Sequence, residues 1–191
     1  MIDRRTFLTA TAAGTATLAV AKRFPFRPAL GVSMASYAIR NRFGRMAKQP
    51  EGVQAFSGPL GFLEHCKKLN AAGVQIGVRG WRDKDFSKKL RARAEELGMY
   101  LEGQIGLPRN ENDVARFDAE IAAAKEAGVT IIRTVMLNGR RYENFNSAAD
   151  WKAFRRSSWK RLTLAEPIAR KHSVQLALEN HKDWRIEEMI A

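Results

Sequence analysis

Three times in this chain a helix-like stretch runs into a glycine and an apolar residue follows at once: Ala72-Gly73-Val74, Leu97-Gly98-Met99 and Ala127-Gly128-Val129. His172-Ser173-Val174 repeats the junction without glycine. Glycine just past a helix end adopts the left-handed backbone that other residues reach only at a cost. A helix that ends this way and feeds directly into a strand is half of a βα repeat. Four such junctions in one chain leave few folds open.

The repeat predicts strands at residues 31–37, 74–79, 100–105, 130–136 and 174–179. Between them, apolar stripes at helical spacing mark the helices: Phe86, Leu90 and Leu97; Val114, Phe117, Ile121 and Ala124; and Trp151, Phe154, Leu162 and Ile168 in a longer helix containing Pro167. The count is five strands, four full helices and the opening of a fifth at residues 185–191. Alternation within the strands decides the architecture. Val74, Ile76 and Val78 share one face, with Gln75, Gly77 and Arg79 on the other; Val174, Leu176 and Leu178 oppose Gln175, Ala177 and Glu179. A doubly wound sheet is covered on both faces and should be apolar on both. One apolar face and one small or polar face fit a closed barrel, with aliphatics outward under the helices. The fold class expected is α/β, a (β/α) barrel rather than a doubly wound sheet, with five βα units in this chain. No GxGxxG follows a strand and no GxxxxGK[ST] occurs, which argues against dinucleotide and P-loop sites.

The first 29 residues read as a separate leader, with the barrel at residues 30–191. Asp3-Arg4-Arg5-Thr6-Phe7-Leu8 resembles the twin-arginine export signal. The stretch after it, rich in Ala and Thr, is too short and too weakly apolar for a membrane span, and Ala19-Val20-Ala21 offers a cleavage site. Export by that route to the periplasm is expected, with no stable membrane anchor after cleavage. Cys66 is the only cysteine, so no intrachain disulfide can form, and its helix-like surroundings make it a core residue. The net charge of +13 is spread along the chain. It fits a solubilising surface as well as attraction to an anionic substrate, nucleic acid or membrane.

In (β/α) barrels, functional residues gather at the C-terminal ends of the strands and in the loops that follow. The candidates by that rule are Arg79, Glu102, Gln104, Arg133, Asn138 to Arg141, and Glu179 to Asp183. Glu179 closes an apolar strand, where a carboxylate is costly unless paired or metal-bound; an ion pair with Arg133 or Arg79 is the structural alternative. Alternation turns Glu179 and His181 toward one side, so both are catalytic candidates, with Asn180 and Lys182 beside them for substrate. Arg140 and Arg141 carry forked donors suited to a carboxylate or phosphate. His65 and His172 are read as structural. A long basic loop is expected from Ile39 to Pro59.

At "GVSMASY", "GVQIGVRGW", "GVTIIRTVMLNGRRYENF" and above all "LALENHKDW" the chain resembles the sugar phosphate isomerase/epimerase family, whose domain is the xylose isomerase-like TIM barrel. The resemblance runs from Gly31 to the last residue. It implies a divalent metal (Mn, Mg, Zn or Co) held by a Glu from the fifth strand and an Asp, a His and a Glu from the next three. Glu179 matches the first, and the other three have no counterpart. Eight such units take about 250 residues against the 191 here. The expectation is a truncated barrel, inactive alone, whose complete form moves a proton beside a sugar carbonyl through an enediolate.

The expected partner is a small carbohydrate, phosphorylated or not, with homo-oligomerisation left open. Two other classes stay in view. A metallonuclease of the same barrel superfamily, apurinic endonuclease-like, would use the positive charge, but nucleic acid is disfavoured by export and by the lack of interleaved basic and aromatic residues. A non-catalytic carbohydrate-binding barrel would keep the pocket without the metal. The leader supplies the first test: residues 1–30 fused to a reporter should carry it across a bacterial inner membrane. Changing Arg4 and Arg5 to Lys should abolish transport, and continued export of that variant would contradict the reading.

Overall fold

The computed structural model describes residues 29–34, 58–79, 81, 84–137 and 139–190. The elements are β1 (Gly31–Ser33), α1 (Gly58–Lys68), β2 (Gly73–Gly77), α2 (Lys84–Leu97), β3 (Tyr100–Gln104), α3 (Val114–Glu126), β4 (Ile131–Val135), a short α4 (Arg141–Asn144), the long α5 (Ala148–Lys171), β5 (Gln175–Glu179) and α6 (Ile186–Ile190). A 3-10 turn, Glu111–Asp113, precedes α3. The strands form one parallel sheet in the order β1-β2-β3-β4-β5. Each strand pairs with its sequence neighbour, so the order never reverses as it must at the switch point of a doubly wound sheet. This is the strand succession of a (β/α) barrel, over five units.

Strand parity divides the sheet as the alternation requires. Val74, Ile76, Val78 and Ile132 are fully buried on the helix side, where Phe62 and Leu63 of α1, Leu90 of α2, and Phe117 and Ile121 of α3 cover them. Each large aliphatic or aromatic side chain withdrawn from water in this way contributes about 1.5–3 kcal/mol. Cys66 belongs to the same layer, and burial pushes its thiol up to about 11. Ser147 caps α5 by accepting from Asp150 N–H at 3.1 Å. Pro167 lies inside this 24-residue helix, which runs on without a break to Lys171.

One junction and the boundary of one loop depart from the sequence reading. Gly98 and Gly128 do take positive φ after α2 and α3, at 63° and 85°. At the end of α1, however, Asn70 makes the left-handed turn with φ 58°, and Gly73 is already the first residue of β2. Gly73 is there for a different reason. A Cβ at that position would sit 2.4 Å from the Tyr100 ring, and one at Gly31 would sit 2.2 Å from the Tyr100 hydroxyl oxygen. Gly31, Gly73 and Tyr100 stand side by side in register, so the ring lies across two bare backbones. At the fourth junction Ser173 adopts φ 52° without glycine's freedom. The loop expected to reach Pro59 ends at Gly58, and Pro59 sits in the first turn of α1, where its missing N–H costs nothing. The residues from Ile39 to Ser57 lie outside the described residues, as does the leader.

No helix among the described residues is long and apolar enough to cross a membrane. The tyrosine arrangement gives a direct test. Gly73→Ala should lower stability by about 1–3 kcal/mol, the usual cost of overpacking, as read by urea denaturation. Adding Tyr100→Ala should recover part of the loss. A Gly73→Ala variant as stable as the parent would contradict the packing.

Candidate active site at the strand ends

The face turned away from the helices carries the polar side chains in register rows. Ser33, Gln75 and Glu102 form one row, and Gly77, Gln104, Arg133 and Ala177 the next toward the C-terminal ends. The side chains bond across strands. Gln75 Nε2 donates to Glu102 Oε2 at 3.0 Å, and Ser33 Oγ donates to Gln75 Oε1 at 3.1 Å. Gln104 Nε2 donates to Gln75 Oε1 at 2.6 Å and to Ser33 Oγ at 2.9 Å. Carboxamides and a hydroxyl offer both donors and acceptors, the mixture that a polyhydroxylated ligand needs. Beside them a hollow of about 530 Å³ is lined by Gly77, Gln104, Arg133, Val135, Leu137 and Arg161, among others. A Cβ on Gly77 would meet no atom within 4 Å, so its floor is open.

Glu179, the last residue of β5, pairs with Arg133 of β4. Of the two structural partners that the sequence allowed, this is Arg133; Arg79 is exposed beyond β2 and makes no ion pair with a described residue. The Arg133 guanidinium holds the Glu179 carboxyl below its ordinary value, burial opposes this, and His181 adds a smaller favourable effect. His181 Nδ1 lies 3.2 Å from the Gly139 carbonyl oxygen. Asn180 closes the turn that follows: its Oδ1 faces Asp183 N at 3.4 Å and Trp184 N at 3.3 Å, and its Nδ2 donates to Trp184 O at 2.8 Å. Lys182 is exposed, with φ 63°, and its carbonyl accepts from Arg141 N–H at 3.1 Å.

The two adjacent arginines divide. Arg140 is exposed and pairs locally with Glu143 at 3.0 Å. Arg141 turns inward to Glu188 at 3.2 Å and lies over the Trp151 ring at 3.9 Å, beside the cluster of Phe145, Phe154 and Trp184. Arg141 therefore fastens the start of α6 to α5 as the structure stands, while Arg140 is the more accessible of the pair. Asn138 lies outside the described residues. His172 is occupied with Asp118 at 2.5 Å.

Two groups at the mouth were not singled out from the sequence. Arg161 of α5 is half-buried and donates to the carbonyls of Pro108 and Met136, both at 3.2 Å, and of Leu107 at 3.5 Å. It thereby ties the loop after β3 to the end of β4. It falls seven residues after Phe154 on that helix's apolar stripe, where a basic residue was the available sign. Asp113, nearly buried, accepts from Arg109 and Arg116, which hold its carboxyl well below the usual carboxylate range. Gln75 was read on the polar face but, being mid-strand, not as a site residue.

The described residues do not by themselves make a metal site. No group of three or more His, Cys, Asp and Glu among them is arranged to hold an ion, and the one carboxylate that the resemblance assigns as a ligand is turned to Arg133.

No protein-family model matches the chain, and no curated protein matches it in sequence. Solved structures do match in fold. A D-psicose 3-epimerase crystallised in the presence of D-fructose aligns with TM-score 0.53 at 13% identity, over 66% of this chain and 49% of that one. A D-tagatose 3-epimerase-like protein aligns with TM-score 0.53 at 14% identity, over 82% and 54%. A D-psicose 3-epimerase with D-tagatose from Clostridium cellulolyticum H10 aligns with TM-score 0.50 at 14% identity, over 81% and 53%. The chain shares its (β/α) fold with these structures and spans about half their length.

The Arg133–Glu179 pair has a measurable consequence. A carboxylate with a depressed folded pKa contributes stability above its unfolded value and loses it as pH falls through the folded value. Arg133→Gln should raise the Glu179 pKa toward that of an unpaired glutamate, as read by carbon NMR of the side-chain carboxyl. An unmoved Glu179 would show that the pair does not operate in solution.

Proposed function

We propose that the chain supplies five βα units of a carbohydrate isomerase or epimerase barrel, which moves a proton at the carbon beside a sugar carbonyl. The observation that carries this reading is the polar side of the sheet: Ser33, Gln75, Glu102, Gln104, Arg133 and Glu179 converge toward one end of the strands beside an open hollow. The likeness in fold to sugar epimerases supports it.

In this reading Glu102 and the carboxamides of Gln75 and Gln104 take the sugar hydroxyls, accepting and donating in turn. Arg133 keeps Glu179 ionised, the form able to accept a proton, and a carbonyl oxygen reaching Arg133 would share its donors as negative charge grows during enediolate formation. His181 and Asn180 stand at the lip of the same strand, with Lys182 exposed beside them and Arg79 exposed beyond β2, each available to an anionic substituent. Arg140 is placed to meet a sugar phosphate, whereas Arg141 would have to leave Glu188 to do so. A resident divalent ion at Glu179, with further ligands from outside this sequence, belongs to the proposal, as does export by the twin-arginine route.

The test is incubation of a complete barrel containing this sequence with D-fructose, D-tagatose and their phosphates in heavy water. Deuterium should enter at the carbon adjacent to the carbonyl, and Glu179→Gln should slow this by at least the 10²-fold typical of a lost acid or base. Absence of exchange with every sugar would contradict the assignment. Changing Arg140 to Ala should raise KM for a phosphorylated substrate more than it lowers kcat. An unchanged KM would return that arginine to the solvated surface.

A further inference from the structure

The loops that follow β4 and β5 are fastened to each other at three points. Leu137 N–H donates to Asp183 Oδ2 at 3.3 Å, Arg141 N–H donates to the Lys182 carbonyl at 3.1 Å, and His181 Nδ1 stands 3.2 Å from the Gly139 carbonyl oxygen. A carbonyl oxygen can only accept, so Nδ1 of His181 is the donor and carries a proton. In a neutral imidazole the lone pair is then on Nε2, the nitrogen left without a bond to the loop.

Asp183 is the unusual member of this set. It is 1% exposed, and its Oδ1 is buried with no hydrogen-bond partner among the described residues. Burying a carboxylate oxygen unpaired is costly, so this side chain is poorly explained as a source of stability. What it does hold is Leu137, two residues before the carbonyl that faces His181. Asn180 completes the frame by bonding to both the carbonyl and the N–H of Trp184, across the same turn.

We infer that Asp183 is a positioning residue: by anchoring Leu137 it holds the Gly139 carbonyl against His181, which fixes the imidazole as the Nδ1–H tautomer and presents the Nε2 lone pair to a ligand hydroxyl at the strand ends. The identity of that ligand rests on the carbohydrate reading above, but the tautomer does not.

The experiment is two-bond nitrogen–proton NMR on the 191-residue chain labelled at histidine, under alkaline conditions in which imidazole is neutral. Its three histidines are assigned by loss of one signal set in His181→Gln. His181 should show the Nδ1–H pattern. Asp183→Ala should move it toward the Nε2–H form, while Asp183→Asn, which keeps an acceptor for Leu137, should preserve Nδ1–H. Circular dichroism on each variant separates this effect from unfolding. If Asp183→Ala does not fold, the parent and the asparagine variant decide. An Nε2–H pattern in the parent, loss of Nδ1–H in Asp183→Asn, or no change in a folded Asp183→Ala would overturn the inference. None of these outcomes depends on turnover, so failure here and failure of the sugar reading are told apart.

Discussion

Side chains on a strand point alternately to its two sides, and among the described residues the helices cover only one side of this sheet. The aliphatic residues of β2 and β4 at positions 74, 76 and 132 take the covered side and are fully buried. The intervening positions are thereby forced onto the other side, whatever their chemistry. Because all five strands are parallel and ordered as in the sequence, their C-terminal ends lie at one edge. Gln104, Arg133 and Glu179, which come from three strands far apart in the chain, are brought together by this constraint and by nothing local. Tyr100 shows how tightly the uncovered side is filled at the opposite end, where its ring requires glycine at positions 31 and 73.

Parity gathers the groups, but it does not fix the loops that carry the rest of the site. That falls largely to backbone carbonyls captured by arginine. Arg161 holds carbonyls after β3 and after β4, and Arg116 bonds to the Gly106 and Leu107 carbonyls at 3.2 Å as well as to Asp113. Guanidinium suits this task because its donors fan out in one plane and stay charged when half-buried. Part of the chain's large positive charge is thus structural. It secures loops rather than attracting a partner, which weakens the case for nucleic acid that net charge alone would make.

The sheet was legible in the sequence because its information is local: strand alternation at Val74 to Arg79 and the apolar stripe at Val114 to Ala124 need no knowledge of distant residues. Glu179 stood out for the same reason, as a charge ending an apolar run. Its engagement with Arg133 could be named only as one of two options, since the choice depends on register between β4 and β5. The role of Gly73 was misread because the helix cap and the close approach of a distant ring favour the same residue. Asp183 stood only at the end of the candidate stretch after β5, and its burial and its contact with Leu137, 46 residues earlier, could not be read from the sequence.

The central claim is that the uncovered face of this sheet is the ligand-binding face. It is tested most directly by adding D-fructose to the nitrogen-labelled chain and following the side-chain amide signals. Saturable shifts are expected at Gln75 and Gln104, with Asn110 and Asn112, which line a separate hollow against α5, unaffected. Shifts confined to Asn110 and Asn112, or none at Gln75 and Gln104 with either this sugar or D-tagatose, would contradict it.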